Sequence, residues 1–373
     1  MNRKVLSTQT SCIRSFAEWA AGIDDCIGLT LGEPDFDTPK EIREAAKHAL
    51  DCSFTHYPPG AGVFSLRDKL SKFEYTNKGL EYTPQEIIIT NGATEAVASV
   101  LKAILNPGDE VIIFTPAFGL YRALTELYGG RCVAIDTADH DFDISGDKLR
   151  AAISDKTKCI VLNYPNNPTG ATMSRSTADM LYEIVKDKNI FILCDEVYDT
   201  LVYDENHVSF ATYAELREKL IIVQSFSKPY AMTGWRIGYI MADLPIVNEI
   251  FKCHQYTVSG VSHFSQIACL KALESDVDYM RDSYKERSEF VYKRLVEMGF
   301  EVMKPRGTFY IFPSTRKFSN SSMEFCHDLA LKEKVVIIPA ECFENQGYAR
   351  ISCCYNQRIL DEAMNRIERF VRG

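Results

Sequence analysis

Residues 220–242, LIIVQSFSKPYAMTGWRIGYIMA, place a lysine and an arginine between two apolar runs. LIIVQ and GYIMA are almost entirely apolar and are bounded by serine and glycine, which is typical of strands buried on both faces of a sheet. Similar runs occur from about residue 85 onward, separated by stretches of helical length: EIIIT, EVIIFT, CVAID, KCIVLNY and NIFILCD. This alternation predicts an α/β fold with a mostly parallel sheet flanked by helices.

The two ends of the chain predict a second, smaller domain. After residue 285 the pattern changes to an amphipathic helix, two or three short strands (FYIFP, VVIIP, YARISCC) and a final helix. A chain of 373 residues is also long for one compact core. We therefore predict an N-terminal segment (1–39) that joins the small domain, a large domain (40–285) and a C-terminal small α+β domain (286–373).

Composition favours small-molecule chemistry in the cytoplasm. The formal charge of −9 argues against nucleic-acid and anionic-membrane partners, which select basic surfaces. No run approaches the roughly 18 apolar residues of a membrane span, and the first twenty residues lack a secretory h-region. The twelve cysteines form no CxxC pair, so we expect reduced thiols, with Cys353 and Cys354 as strand residues. No histidine or cysteine cluster has metal-ligand spacing, and no metal site is predicted.

Lys228 is the candidate nucleophile. It follows a buried run, and burial without a partner lowers the pKa of a lysine, so that the neutral amine can form an imine. The alternative is a lysine whose head reaches solvent along an apolar stem. Pro229 biases Lys228 toward an extended backbone and away from a regular helix.

Two further features accompany this lysine. Asp195 ends an apolar strand, where α/β sheets bind ligands, although it is also a good helix N-cap. IIITNGATEA turns from a strand into a helix at Gly92, which suits an anion, and an ordinary capped helix is the alternative. Arg236 offers a fork for phosphate or carboxylate, or else a surface ion pair. The GxGxxG and GK[ST] patterns are absent. An amine, a carboxylate and an anion site together match the three handles of pyridoxal phosphate.

Several motifs carry a family resemblance. In chain order they are LGEPDFDTP, THYPPGAG, NGATEA, NYPNNPTG, DEVY, SFSKPYAMTGWRIGY and PRGTFYIF. They resemble class I/II aminotransferases of the aspartate aminotransferase type, which have pyridoxal-phosphate fold type I. The resemblance runs from about residue 29 to residue 352. One departure is PAECFENQGYAR (339–350), which is shorter and poorer in glycine than its usual counterpart.

The resemblance implies roles for individual residues around the cofactor. Lys228 matches the lysine that forms the Schiff base and moves the proton between substrate Cα and cofactor C4′. Asp195 matches the carboxylate on the pyridinium nitrogen, where an effective dielectric of 20 gives roughly 4 kcal/mol at about 4 Å. The remaining matches are the O3′ ligands Tyr198 and Asn167, the phosphate ligands Ala93, Thr94, Ser225 and Arg236, and the ring-stacking Phe118.

The resemblance also implies substrate contacts and a shared active site. Arg350 matches the arginine that pairs with the substrate α-carboxylate, and Gly32 lets the N-terminal segment approach that group. Tyr57 matches a tyrosine that reaches the phosphate bound by a neighbouring subunit. A homodimer with shared active sites is therefore implied.

The implied function is ping-pong transfer of an amino group from an L-amino acid to a 2-oxo acid. A carbon–sulfur β-lyase needs the same lysine and aspartate, and a non-catalytic cofactor-binding regulator is a further alternative. The side chain of the amino donor stays open. Arg122 and Arg306 are available as a second carboxylate ligand, but no motif points to either.

Overall fold

The computed structural model describes residues 1–373, and its elements alternate as expected for an α/β protein. The α-helices are α1 (Arg3–Ser7), α2 (Cys12–Ala20), α3 (Lys40–Asp51), α4 (Phe64–Lys78), α5 (Gly92–Ile104), α6 (Leu120–Leu127), α7 (Gly146–Ala152), α8 (Arg175–Val185), α9 (Leu244–Val258), α10 (His263–Ala272), α11 (Asp278–Glu297), α12 (Ser322–Glu333) and α13 (Gln357–Arg372). The strands are β1 (Ile27–Gly28), β2 (Ile87–Thr90), β3 (Glu110–Thr115), β4 (Arg131–Asp136), β5 (Thr157–Asn163), β6 (Phe191–Asp195), β7 (Leu220–Ser225), β8 (Gly238–Ala242), β9 (Tyr310–Ile311), β10 (Val335–Val336), β11 (Ile338–Pro339) and β12 (Ala349–Ser352).

The central sheet has seven strands in the order β2-β8-β7-β6-β5-β3-β4. All are parallel except β8, which runs antiparallel to both β2 and β7. Alternate residues of one strand enter different cores: Ile222 belongs to the larger core, whereas Ile221 and Val223 belong to the smaller one. Because both faces are covered, these strands read as continuous apolar runs. The predicted mostly parallel sheet is confirmed, and every predicted run coincides with a strand.

The chain ends form two smaller sheets. Strands β11, β12 and β9 make an antiparallel sheet, and β1 pairs with β10, so the N-terminal segment is hydrogen-bonded to the C-terminal part. Helix α11 is continuous from Asp278 to Glu297 and crosses the boundary that the sequence suggested at 285/286. A boundary near Asp278 fits this helix better, and the division into domains remains a prediction.

One cysteine pair departs from the expectation of reduced thiols. Cys12 in α2 and Cys342 are joined by a disulfide, with their Cα atoms 5.1 Å apart. They are 330 residues apart in sequence, so no local spacing could have indicated the pair. The other ten cysteines are free. Cys353 and Cys354 are buried and form no disulfide, and they lie just after β12 rather than within it.

None of the helices combines the length and the apolar composition that a membrane span requires.

Candidate active site

A cavity of about 350 Å³ opens where the parallel strands β2, β5, β6 and β7 end. The carboxyl ends of parallel strands meet at one edge of a sheet, which is where such sheets bind ligands. Asn163, Asp195 and Ser225 are the last residues of three of these strands. Eleven of the twelve predicted site residues line the cavity: Gly32, Ala93, Thr94, Phe118, Asn167, Asp195, Tyr198, Ser225, Lys228, Arg236 and Arg350.

Lys228 lies in a turn three residues after β7 and points into the cavity. Its Nζ donates a hydrogen bond to the backbone oxygen of Gly32. Burial lowers the pKa of this amine to about 8, and the nearby cations Arg350 and Arg236 act in the same direction. The side chain is partly buried rather than extended to solvent, so the alternative of a solvent-reaching lysine is wrong. The neutral fraction of this amine near pH 7 is therefore much larger than that of an ordinary lysine.

Asp195 is buried at the end of β6 with one oxygen free. Its Oδ2 accepts a hydrogen bond from Tyr121 Oη at 2.7 Å, whereas Oδ1 has no partner. Burial raises the pKa of this carboxyl to about 6, although the hydrogen bond from Tyr121 opposes the rise. No helix begins here, so the N-cap alternative is wrong. A buried oxygen without a partner is costly, which indicates a site for a donor such as a protonated ring nitrogen.

The strand-to-helix turn at Gly92 forms an anion cradle with Arg236. Gly92 has a φ of +77°, and a Cβ at this position would lie 2.4 Å from Arg236 Nη2. Arg236 donates from Nη1 to the Thr233 backbone oxygen at 2.8 Å and has no carboxylate partner, so the surface ion-pair alternative is wrong. Ser225 and Ser227, both buried, line the same end of the cavity. Unpaired N–H groups at the start of α5 and one free guanidinium suit a phosphate.

Arg350 presents a buried guanidinium in β12. Nη1 donates to Asn167 Oδ1 at 3.0 Å and Nη2 donates to the Thr30 backbone oxygen at 2.7 Å, whereas Nε has no partner. The guanidinium lies 4.4 Å from the centre of the Tyr310 ring. The preceding stretch, despite its unusual sequence, forms β11 and a short 3-10 helix and delivers Arg350 to the cavity.

Sequence reasoning missed several cavity residues. Tyr121 contacts Asp195, and Tyr310 Oη lies 3.0 Å from Tyr198 Oη. A Cβ on Gly32 would lie 2.2 Å from that Tyr310 oxygen, so the glycine leaves room for the hydroxyl. Asn163 and Arg14 also line the cavity. Tyr310 stands in the quoted motif PRGTFYIF and Asn163 in NYPNNPTG, and these motifs were the available signals; Arg14 carried none.

One tyrosine and two arginines that the sequence offered as ligand contacts do not line the cavity. Tyr57 is 91% exposed and lies beside Pro58 in a separate surface pocket. Arg122 is paired with Glu126 and Glu344, and Arg306 does not line the cavity either. Neither arginine is therefore available to a ligand in this cavity.

Comparison with known proteins agrees with this geometry. The Aminotransferase class I and II family matches residues 24–367. The chain belongs to this family. The aminotransferase is 40% identical to a probable N-acetyl-LL-diaminopimelate aminotransferase of Bacillus subtilis, over 100% of this chain and 95% of the relative. It is also 40% identical to an aspartate aminotransferase of Pyrococcus horikoshii, over 99% of this chain and 97% of the relative.

The structural comparison gives the same answer. The crystal structure of an aspartate aminotransferase from Thermotoga maritima matches with a TM-score of 0.96 and 33% identity, and each chain is fully covered. The chain is thus an enzyme of class EC 2.6.1 with fold type I. The predicted aminotransferase function, which moves an amino group from an amino acid to a 2-oxo acid, is confirmed.

Enzymes of this type use pyridoxal phosphate, and the cavity fits that group. The unpaired Oδ1 of Asp195 suits the ring nitrogen, and the guanidinium of Arg236, which has no carboxylate partner, suits the phosphate. Gly92 leaves room for that guanidinium, since any Cβ would displace it. The amine of Lys228 opens into the same cavity.

Proposed function

We propose that the aminotransferase performs both half-reactions in this one cavity with Lys228 as attachment point and proton carrier. The observation that carries the proposal is the pairing of a low-pKa amine with a buried carboxylate that has one free oxygen. When bound, pyridoxal phosphate supplies an aldehyde that takes the amino group and a ring that accepts the electron pair from Cα. Lys228, Asp195 and Arg350 hold the reacting groups and control their protons.

Lys228 Nζ takes the proton from substrate Cα and later returns it. Its pKa of about 8 supports this role, because a base works best with a pKa near the working pH. The bond to the Gly32 oxygen is to a neutral backbone group, so the amine can leave it without breaking an ion pair. Asp195 keeps the ring nitrogen protonated, and Tyr121 orients the carboxylate from the other side.

Arg350 binds the substrate α-carboxylate. Its free Nε, together with its position beside Asn167 and the Tyr310 ring, supports this role. Tyr198 and Asn167 would hydrogen-bond the ring oxygen of the cofactor, Phe118 would stack on its ring, and the phosphate would be held by Ala93, Thr94, Ser225 and Arg236. Gly32 keeps the N-terminal segment close to the substrate.

A single-turnover experiment tests the proposal. An amino acid added alone to the purified enzyme should abolish the visible band of the lysine-bound cofactor and release one equivalent of 2-oxo acid. Adding a 2-oxo acid should then restore the band. Release of pyruvate or thiol without any need for an acceptor would instead favour the β-lyase, and an unchanged spectrum with every amino acid would favour a binding protein.

Replacing Gly92 with alanine should weaken cofactor binding about tenfold to a hundredfold, because the new methyl group displaces the guanidinium that holds the phosphate. Gly79→Ala is the matched control, since Gly79 also has a positive φ, of +69°, but no atom within 4 Å of the added Cβ. The measurement is the cofactor Kd by fluorescence quenching of the apoprotein. Equal affinities for the two variants would contradict the cradle.

We also propose a homodimer in which Tyr57 contacts the phosphate held by the neighbouring subunit. The 91% exposure of this tyrosine, outside the cavity of its own chain, supports an intersubunit role. Light scattering should give twice the mass of one chain. Tyr57→Phe should raise the cofactor Kd about tenfold, because one charged hydrogen bond is lost, whereas Tyr256→Phe, altering a residue that is 87% exposed, should not. A monomer with full cofactor affinity would contradict this prediction.

The cytoplasm is the proposed location. Ten free cysteines, six of them buried, support a reducing compartment. The bond between Cys12 and Cys342 is the one feature that favours oxidising conditions.

A further inference from the structure

His254 is a buried ionisable side chain that the roles above leave unused. It lies in α9, has no exposed side-chain surface and does not line the cavity. Its Nδ1 is 3.2 Å from both carboxylate oxygens of Glu95, and its Nε2 is 3.0 Å from the backbone oxygen of Gly60. Both ring nitrogens therefore face oxygen acceptors.

A shared proton satisfies this arrangement. A neutral imidazole donates from only one nitrogen, so beside an ionised Glu95 the lone pair of the other nitrogen would point at an oxygen. One further proton, held between Nδ1 of His254 and the carboxylate, removes that conflict. Glu95 is the one ionisable side chain within hydrogen-bond distance of the ring. The pair of side chains thus has no net charge.

Glu95 holds the start of α5, where the anion cradle begins. It lies in the first turn of this helix, directly after the proposed phosphate ligand Thr94, and is buried. Its Oε2 accepts a hydrogen bond of 3.0 Å from the backbone N–H of Asn91, the N-cap residue, whose own side chain makes no capping bond. Its Oε1 accepts a hydrogen bond from Ser99 Oγ. The carboxylate therefore caps the helix that forms the cradle.

The second ring nitrogen of His254 fixes the loop that carries Tyr57. This nitrogen meets the loop at Gly60, three residues after the tyrosine. A Cβ on Gly60 would lie 3.1 Å from Phe251 Cζ, so the glycine permits the close approach of this loop to α9. One imidazole therefore joins the loop, α9 and the start of α5.

The charge at the cradle gives the shared proton a role. The positive end of a helix favours an anion, and an unpaired carboxylate in the first turn would repel a phosphate placed there. The proton shared with His254 cancels the charge of Glu95. The carboxyl group can then cap α5 without opposing the phosphate.

We infer that His254 is a positioning residue for the cofactor phosphate. Through the proton shared with Glu95 and the bond to Gly60, it holds the start of α5 and the Tyr57 loop as one unit. The inference rests on the proposed phosphate site and adds a residue behind it. Because His254 does not line the cavity, it acts through these two partners and not by contact with the cofactor.

The test measures how strongly the apoprotein prefers pyridoxal phosphate to pyridoxal, from the two Kd values by fluorescence quenching. His254→Phe keeps a ring but removes both bonds and the shared proton. The preference should fall about tenfold or more, because Glu95 regains an unpaired charge and the Gly60 oxygen loses its donor. A general loss of structure would weaken both ligands alike and leave their ratio unchanged.

Two further variants test the charge. Glu95→Gln should keep most of the preference, since an amide can donate to Nδ1 and accept from Asn91 without a charge. Added to His254→Phe, the same substitution should restore part of the preference, because no charge remains at the cradle. His207→Phe is the matched control: His207 is also largely buried and paired with a glutamate, Glu196, outside the cavity. Its preference should equal that of wild type.

Hydrogen–deuterium exchange of the apoprotein gives a readout without ligand. Segments 57–62 and 91–95 should exchange faster in His254→Phe than in wild type, while β6 stays protected. His254→Gln, which keeps one donor, should shift both readouts in the same direction and serves if the phenylalanine variant does not fold by circular dichroism.

The outcomes separate this inference from the proposed function. If His254→Phe and His254→Gln keep the wild-type preference for the phosphate form, the inference is overturned and the phosphate site stands. If wild type itself shows no such preference, the proposed phosphate site fails and the inference falls with it. Failure of every amino acid to convert the cofactor would overturn the proposed transamination and leave the binding result for His254 intact.

Discussion

Replacing Lys228 with alanine should lower turnover by about four orders of magnitude, near the upper end for removal of a positioned acid–base group. The variant loses both the amine that attaches the cofactor and the base that moves the Cα proton. The measurement is the rate of a single half-reaction with saturating amino acid, together with the visible spectrum, which should lose the band of the lysine-bound cofactor. Added small amines should restore part of the proton transfer.

Lys69→Ala is the matched control for this prediction. Lys69 is paired with Glu274 and does not line the cavity, so activity and spectrum should stay as in wild type. The pH dependence adds a second readout. Because only the neutral amine reacts and the pKa of Lys228 is lowered to about 8, the rate of cofactor uptake by the apoprotein should rise with pH and level off above about 8. A flat profile, or full activity of Lys228→Ala, would show that another amine serves the reaction.

The strands of the central sheet could be predicted because each leaves a recognisable pattern in its own stretch of sequence. Each strand is covered on both faces, so burial leaves a continuous apolar run in the sequence, as in LIIVQS and EVIIFT. The small domain was less sharply defined. Its strands are only two to four residues long, and α11 begins eight residues before the predicted small domain, because an amphipathic pattern does not mark a change of domain.

Site residues could be predicted where they stand in short sequence motifs. They could not be predicted where they depend on contacts between residues that are far apart in the sequence. Lys228, Asp195 and Arg350 each stand in a recognisable stretch, and all line one cavity. Tyr121 reaches Asp195 across 74 positions, and Arg14 reaches the cavity only because α2 folds back over it. Tyr121 lies only three residues after the predicted Phe118, but nothing local indicates its bond to Asp195, and nothing near Arg14 in the sequence encodes its position.

Replacing Asp195 with asparagine should lower the rate of the half-reaction about a thousandfold. An effective dielectric of 20 and a separation of about 4 Å give roughly 4 kcal/mol between carboxylate and protonated ring nitrogen, which equals about three pK units. Asparagine keeps the shape but lacks the charge, so the ring loses its proton at neutral pH and accepts electrons poorly. Cofactor affinity should fall much less than the rate, since Arg236 and Lys228 remain.

Two comparisons make this effect specific to the charge. Asp136→Asn alters another aspartate at the end of a parallel strand, β4, outside the cavity, and should retain activity. Tyr121→Phe keeps the carboxylate of Asp195 but removes the hydrogen bond to Oδ2, which lowers the pKa of that carboxyl. The pKa of Asp195, about 6 in the cofactor-free protein, should therefore rise, and the acid limb of cofactor uptake should move to higher pH. If Asp195→Asn lost only about as much activity as Asp136→Asn, the ring would not depend on this carboxylate for its proton.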